Sequence, residues 1–116
     1  MVATLTFDSR IQPALAGARD TGAGSFQLLF EAEGADIDLL CERGQRGWHI
    51  TGQALSADPP ELGWKVLATS PAGRIETDTD PMGEFRLHDL APGVYELALR
   101  DVNHEIVLPN IELQAV

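Results

Sequence analysis

The residues able to do chemistry are few and scattered: one cysteine, Cys41, three histidines, His49, His88 and His104, and carboxylates that outnumber basic side chains 18 to 8. A nucleophilic thiol needs an electropositive, partly exposed setting. Cys41 instead alternates with Ile37 and Leu39 in IDLLC, where a thiol acts as a small inert hydrophobe. No histidine has a second histidine or a cysteine at zinc-ligand spacing, so a tetrahedral metal site is not expected. Asp78, Asp80, Gly83 and Glu84 in DTDPMGE stand like the first oxygens of a calcium loop, but Pro81 and the missing distal ligands favour a turn with Asp80 as its acceptor. Ser9, Ser25, Ser56 and Ser70 lie in loop-like stretches with no GxSxG elbow and no adjacent base. The expectation is no catalytic residue, no cofactor and no metal.

A cluster of carboxylates carries a different chemistry, that of docking. Phe26 to Glu33 and Asp36 to Arg43 read as a hairpin, with Gly34 and Ala35 as a two-residue loop and glycine first, as a type II′ turn requires. That loop pairs Glu33 with Asp36, Glu31 with Asp38 and Leu29 with Leu40. Phe26, Leu28, Phe30, Ala32, Ile37, Leu39 and Cys41 then share the inner face. The outer face opposes like charges twice, which costs some tenths of a kcal/mol up to about 1 per pair. Carboxylates Glu31, Glu33, Asp36 and Asp38 around the apolar pair Leu29 and Leu40 would suit a basic protein partner. The bland alternative is a solvated face where the repulsion is screened.

The elements that must position this face are all extended. Ala3, Leu5 and Phe7 alternate with polar residues as a first strand, and Ser9 to Ser25, rich in Ala, Gly and Pro, reads as a linker or loop and a second candidate contact. Trp48, Ile50 and Ala54 mark another strand, and Pro59-Pro60 breaks the chain. Trp64 to Thr69 and Arg74 to Thr79 flank a turn at Pro71 to Gly73. Phe85 and Leu87 alternate after the Asp80 turn, Tyr95, Leu97 and Leu99 after Pro92-Gly93, and Glu105 to Leu108 with Ile111 to Leu113 end the sheet. Pro109 marks an edge or a bulge there. Short strands at regular spacing without helical period predict an all-β sandwich of about eight or nine short antiparallel strands.

At 116 residues the chain is sized for one core. Residues 1–25 are expected to hold the first strand and the linker, and 26–116 a single sandwich domain. The net charge of −10 lies wholly on the latter, because Asp8 and Asp20 balance Arg10 and Arg19 in the former. Such a surface repels phosphate backbones, disfavouring nucleic acid and anionic membranes and favouring a basic protein. A lone cysteine excludes an internal disulfide framework and points to a reducing compartment, the cytoplasm. No run approaches the ~18 apolar residues of a membrane span, and Met1 to Ala18 lacks the pattern of a signal peptide. An edge strand such as Glu105 to Leu113 could pair between two chains and make a homodimer.

Gly52 to Asp101, with Gly52 opening a strand, the TDxxGxF element at Asp78 to Glu84 and its neighbours, and LxPGxYxL at Leu90 to Leu97, resembles the carboxypeptidase regulatory-like domain. That resemblance implies a transthyretin-like (prealbumin-like), Greek-key β-sandwich acting as a non-catalytic accessory. It departs at Leu62 to Lys65, where such domains carry a small Gly-Ala step. More loosely, Gly17 to Glu42 followed by that region is similar to small bacterial proteins of sigma-factor operons, which implies a role in sigma-factor or anti-sigma regulation. Two alternatives come from other classes. Trp48 and Trp64, if exposed, would serve a carbohydrate-binding accessory domain. Transthyretin-like folds also include hydroxyisourate hydrolases, but this chain ends in IELQAV rather than the YRGS-like close of those enzymes.

Overall fold

The computed structural model describes residues 1–11 and 24–115. Most of the Ser9 to Ser25 segment therefore lies outside the described residues. Among those described, nine strands follow one another: β1 (Thr4–Asp8), β2 (Ser25–Ala32), β3 (Ala35–Gly44), β4 (Gly47–Ser56), β5 (Lys65–Ser70), β6 (Gly73–Asp78), β7 (Glu84–Leu90), β8 (Gly93–Arg100) and β9 (Glu105–Leu113). They form two antiparallel sheets packed as a sandwich, one in the order β1-β2-β3-β4-β7 and the other β6-β5-β8-β9. Among the described residues no helix is long and apolar enough to cross a membrane.

Alternation of apolar and polar residues builds the core. Phe26, Leu28 and Phe30 of β2, Ile37, Leu39 and Cys41 of β3, and Ile50 of β4 are buried against Val66, Ala68, Leu97, Leu99 and Leu108 of the opposite sheet. Burial of side chains of this size contributes roughly 1.5–3 kcal/mol each before the loss of chain entropy is counted. Tyr95 is buried too, and its hydroxyl donates to the Ala91 carbonyl at 2.7 Å, which pins the entry to β8. Polar groups buried this way need a partner, and the tyrosine finds one four residues back.

Two irregularities set the edges. The alternation expected through Ala3, Leu5 and Phe7 breaks at a register shift between Leu5 and Phe7. Phe7 therefore lies beside outward Leu29, and Asp8, opposite Leu28, turns inward and is buried. A second shift, opposite Tyr95 and Leu97, sits at Pro109-Asn110, where Asn110 adopts a φ of 59°. Such bulges bend and twist the strand that carries them.

The chain's first residues lie on β9. Val2 makes a parallel bridge with Val107, whose amide donates to Met1 O at 2.8 Å and whose carbonyl accepts from Ala3 N at 2.8 Å. The outer edge of β9 around Val107 is thus already hydrogen-bonded. Residues 1–11 belong to the sandwich, crossing from the β9 edge of one sheet to the β1 edge of the other.

Candidate functional site

The hairpin of β2 and β3 keeps the expected faces but shifts its pairing by two residues. Ala32 pairs with Ala35, Glu31 with Asp36, Leu29 with Asp38 and Gln27 with Leu40. The loop is Glu33-Gly34, with Gly34 second and at φ +80°. Glycine supplies its positive φ at the second central place, so the predicted loop of Gly34-Ala35 is wrong by one residue at each end. Leu29 and Leu40 are half-buried and diagonal, not opposite. Asp38 does not face Glu31; its carboxylate accepts from Gln27 Nε2 at 3.0 and 3.2 Å.

Neither expected like-charged pair forms, but the shifted register sets Glu31 against Asp36, both exposed. Replacing Glu31 by lysine puts a cation opposite Asp36, and we expect the protein to gain some tenths of a kcal/mol up to about 1. Thermal melting at low salt checks this: a melting temperature at or below that of the wild type would show that the pair carries no repulsion.

Glu31, Glu33 and Asp36 stand at one end of the sandwich, where three chain segments distant in sequence meet. The β2–β3 turn, the β4–β5 loop and the β8–β9 turn enclose an open groove of about 850 Å³. Its wall includes Ala35, Trp64 and Ile106, all buried, and from its loops project Leu62 and Val102, each 95% exposed. The loops do not depend on these two side chains for their shape. Gly63 N donates to Pro60 O at 3.0 Å, Trp64 N to Thr79 Oγ1 at 2.8 Å, and Asp101 Oδ1 accepts from the Asn103 and His104 amides at 2.7 and 2.6 Å. Bonds donated by backbone amides hold the loops, and two large apolar side chains are left in water.

The charges around the groove are unequal. Glu33, Asp58, Glu61, Asp78 and Asp101 line it against Lys65, Arg100, His104 and the Met1 ammonium, which donates to Glu105 O at 3.1 Å. Lys65 pairs with Asp78 at 3.4 Å, His104 with Asp101 at 3.4 Å, and Arg100 with Glu105. The Asn103 amide, and after it the His104 amide, hold the Asp101 carboxyl below its ordinary range. Glu33, Asp58 and Glu61 have no ion pair among the described residues, and Glu31 and Asp36 lie just beyond the rim. The site is an apolar groove with an excess of anionic oxygens. An exposed apolar patch rimmed by polar groups is the mark of an interaction surface.

The remaining reactive groups sit elsewhere. Cys41 is fully buried in the core, and burial pushes its thiol up to about 12. Asp80 Oδ1 accepts from the Met82 and Glu84 amides at 2.9 Å each, which spends one carboxylate oxygen on the turn. The fold brings together two histidines that are distant in sequence, His49 and His88, with ring centroids 5.4 Å apart. Among the described residues no group of three or more metal-ligating side chains converges. Trp48 and Trp64 are only 3% and 7% exposed, and Trp48 Nε1 donates to Gln114 O at 2.9 Å. Neither offers an open face on which a sugar ring could stack.

Comparison of the chain with protein-family models, curated proteins and solved structures finds no match. The site's own chemistry must carry the reading. Of the carboxylates that line the groove, sequence reasoning named only Glu33 as a docking residue; it missed Asp58 and Glu61 and the apolar half of the groove. The available signal was Leu62 in PPELG and Val102 in DVNH, large apolar residues within turn-forming stretches that usually hold polar ones.

Proposed function

We propose that this protein is a non-catalytic interaction module that docks a protein partner at the open end of its sandwich. The partner presents basic and apolar side chains. The carrying observation is the coincidence of Leu62 and Val102, both held out in water, with the carboxylates Glu33, Asp58 and Glu61, which have no ion pair among the described residues, on the same groove. Apolar contact would supply stability to the complex, and the anionic rim would speed encounter and reject acidic competitors. Glu31 and Asp36 extend the rim along β2 and β3, so the acidic hairpin enters the reading at its turn end. The resemblance to carboxypeptidase regulatory-like domains supports an accessory role, and the looser one to sigma-factor operon proteins names the first setting in which to look for a partner.

The test is affinity capture from native host lysate by wild-type protein and by a Leu62→Asp, Val102→Asp double variant, each at low and high salt. We expect a basic protein held by the wild type at low salt, reduced at high salt and absent from the variant. Screening weakens exposed charge pairs over a Debye length of about 8 Å at physiological ionic strength, which is why salt is the second arm. An identical set of bound proteins on wild type and variant would sink the groove as the docking site.

A further inference from the structure

The strand β6 is the outer edge of its sheet, and it is uncovered. Every residue from Gly73 to Asp78 is exposed or half-exposed, and even Ile75, whose side chain shares the inward face with Ala68, is 41% exposed. Thr79 N donates to Trp64 O at 2.9 Å, extending the β5–β6 ladder by one pair. Hydrogen-bonded pairs in an antiparallel ladder recur at every second residue. Thr77, Ile75 and Gly73 therefore bond to β5, and Arg74, Glu76 and Asp78 turn their N–H and C=O groups outward. Among the described residues nothing pairs with them. An edge of this kind is a template for another strand.

We infer that β6 pairs with β6 of a second copy of this chain, antiparallel about a twofold axis at Ile75, joining two four-stranded sheets into one. Charge selects both the occupant and the register. An axis at Arg74 sets Arg74 against itself, and one at Glu76 sets Glu76 against itself. An axis at Thr77 sets Glu76 against Asp78. Only the axis at Ile75 places Arg74 opposite Glu76 of the partner copy twice, with no like pair, and leaves Asp78 opposite Ala72. Arg74 and Glu76 lie on one face and already approach to 3.6 Å within one chain, so pairing assembles a ring of four alternating charges. Ile75 meets its own symmetry mate in the closely spaced, non-hydrogen-bonded pair, where cross-strand side-chain contact is best. This inference stands apart from the docking groove, since neither Arg74, Ile75 nor Glu76 lines it.

A six-residue edge makes a small interface, so the dimer belongs to the weak class. Sedimentation equilibrium from about 5 to 500 µM covers dissociation constants at the micromolar end of the affinity scale. We expect the wild type to shift from monomer to dimer across that range, and Arg74→Glu or Glu76→Arg alone to weaken association about tenfold, since symmetry doubles each like-charge contact. The Arg74→Glu, Glu76→Arg double variant re-creates the complementary pairs and should recover the dimer. Both side chains are exposed, so the variants should melt like the wild type. Hydrogen exchange on the unmodified protein reads the same contact, with the Arg74 and Glu76 amides protected only at high concentration. A monomer throughout, a dimer indifferent to the single reversals, or a double variant that fails to recover would overturn the proposal.

Discussion

Replacing Gly52 by alanine should cost about 2–3 kcal/mol and lower the melting temperature by roughly 10 °C, the overpacking penalty expected in a well-filled core. Gly52 lies on β4 between Leu39 of β3 and Phe85 of β7, and it is buried. The Phe85 ring covers the bare backbone: a Cβ at Gly52 would stand 2.2 Å from Phe85 Cζ. The ring is 2% exposed and walled in by the opposite sheet, so it has little room to withdraw. A glycine in a strand interior often marks such a close approach. Thermal denaturation in two backgrounds separates this contact from a general dislike of change. In a Phe85→Leu background, where the ring edge is gone, Gly52→Ala should cost less than half as much. An equal loss in both backgrounds would mean the glycine is needed for some other reason.

The same pair shows what was legible in the sequence. Alternation alone assigned the inner faces of β2, β3, β7 and β8, because a period of two leaves only two choices per strand. Register was less accessible. Moving Gly34 from the first to the second place of its turn slides every cross-strand pair by two residues without changing any face, so the burial pattern that fixes faces cannot detect the error. Glu31 lost Asp38 and gained Asp36 in that slide, and Leu29 lost Leu40. The bulge between Leu5 and Phe7 likewise has no signature in residue type, although it decides that Asp8 is buried. The groove was beyond reach for a third reason. Leu62 and Val102 sit in different loops, and only the crossover from β4 to β5 and the β8–β9 turn bring them to one end of the sandwich.

Asp8, turned inward by that bulge, sets up the second large effect. Arg10 Nε and Nη2 reach its two carboxylate oxygens at 3.1 Å each, the Arg10 amide donates to Oδ1 at 2.9 Å, and the guanidinium lies 3.7 Å over the Phe26 ring. Arg10 Nη1 also donates to Glu112 O at 3.0 Å, so one side chain ties the β1 edge of one sheet to the β9 edge of the other. Removing the cation leaves the Asp8 carboxylate buried without it, a change that costs about 3–5 kcal/mol for a fully buried pair. Because the Arg10 side chain is 33% exposed, solvent screens part of the pair, and we expect Arg10→Ala to lose about 2–3 kcal/mol.

Two readouts make that expectation specific. Asp8→Ala combined with Arg10→Ala removes the buried carboxylate as well as the guanidinium that faces it, so the double variant should melt above Arg10→Ala alone. Loosening this tie should also free the strip of chain that lies on β9, seen as faster hydrogen exchange at the Ala3 and Val107 amides, which are now held at 2.8 Å. Exposure of the β9 edge would then add a second template for strand pairing, and Arg10→Ala should associate in a way that the charge reversals at Arg74 and Glu76 do not suppress. An Arg10→Ala protein with wild-type melting, or one that gains nothing from the loss of Asp8, would show that the buried carboxylate does not need this guanidinium.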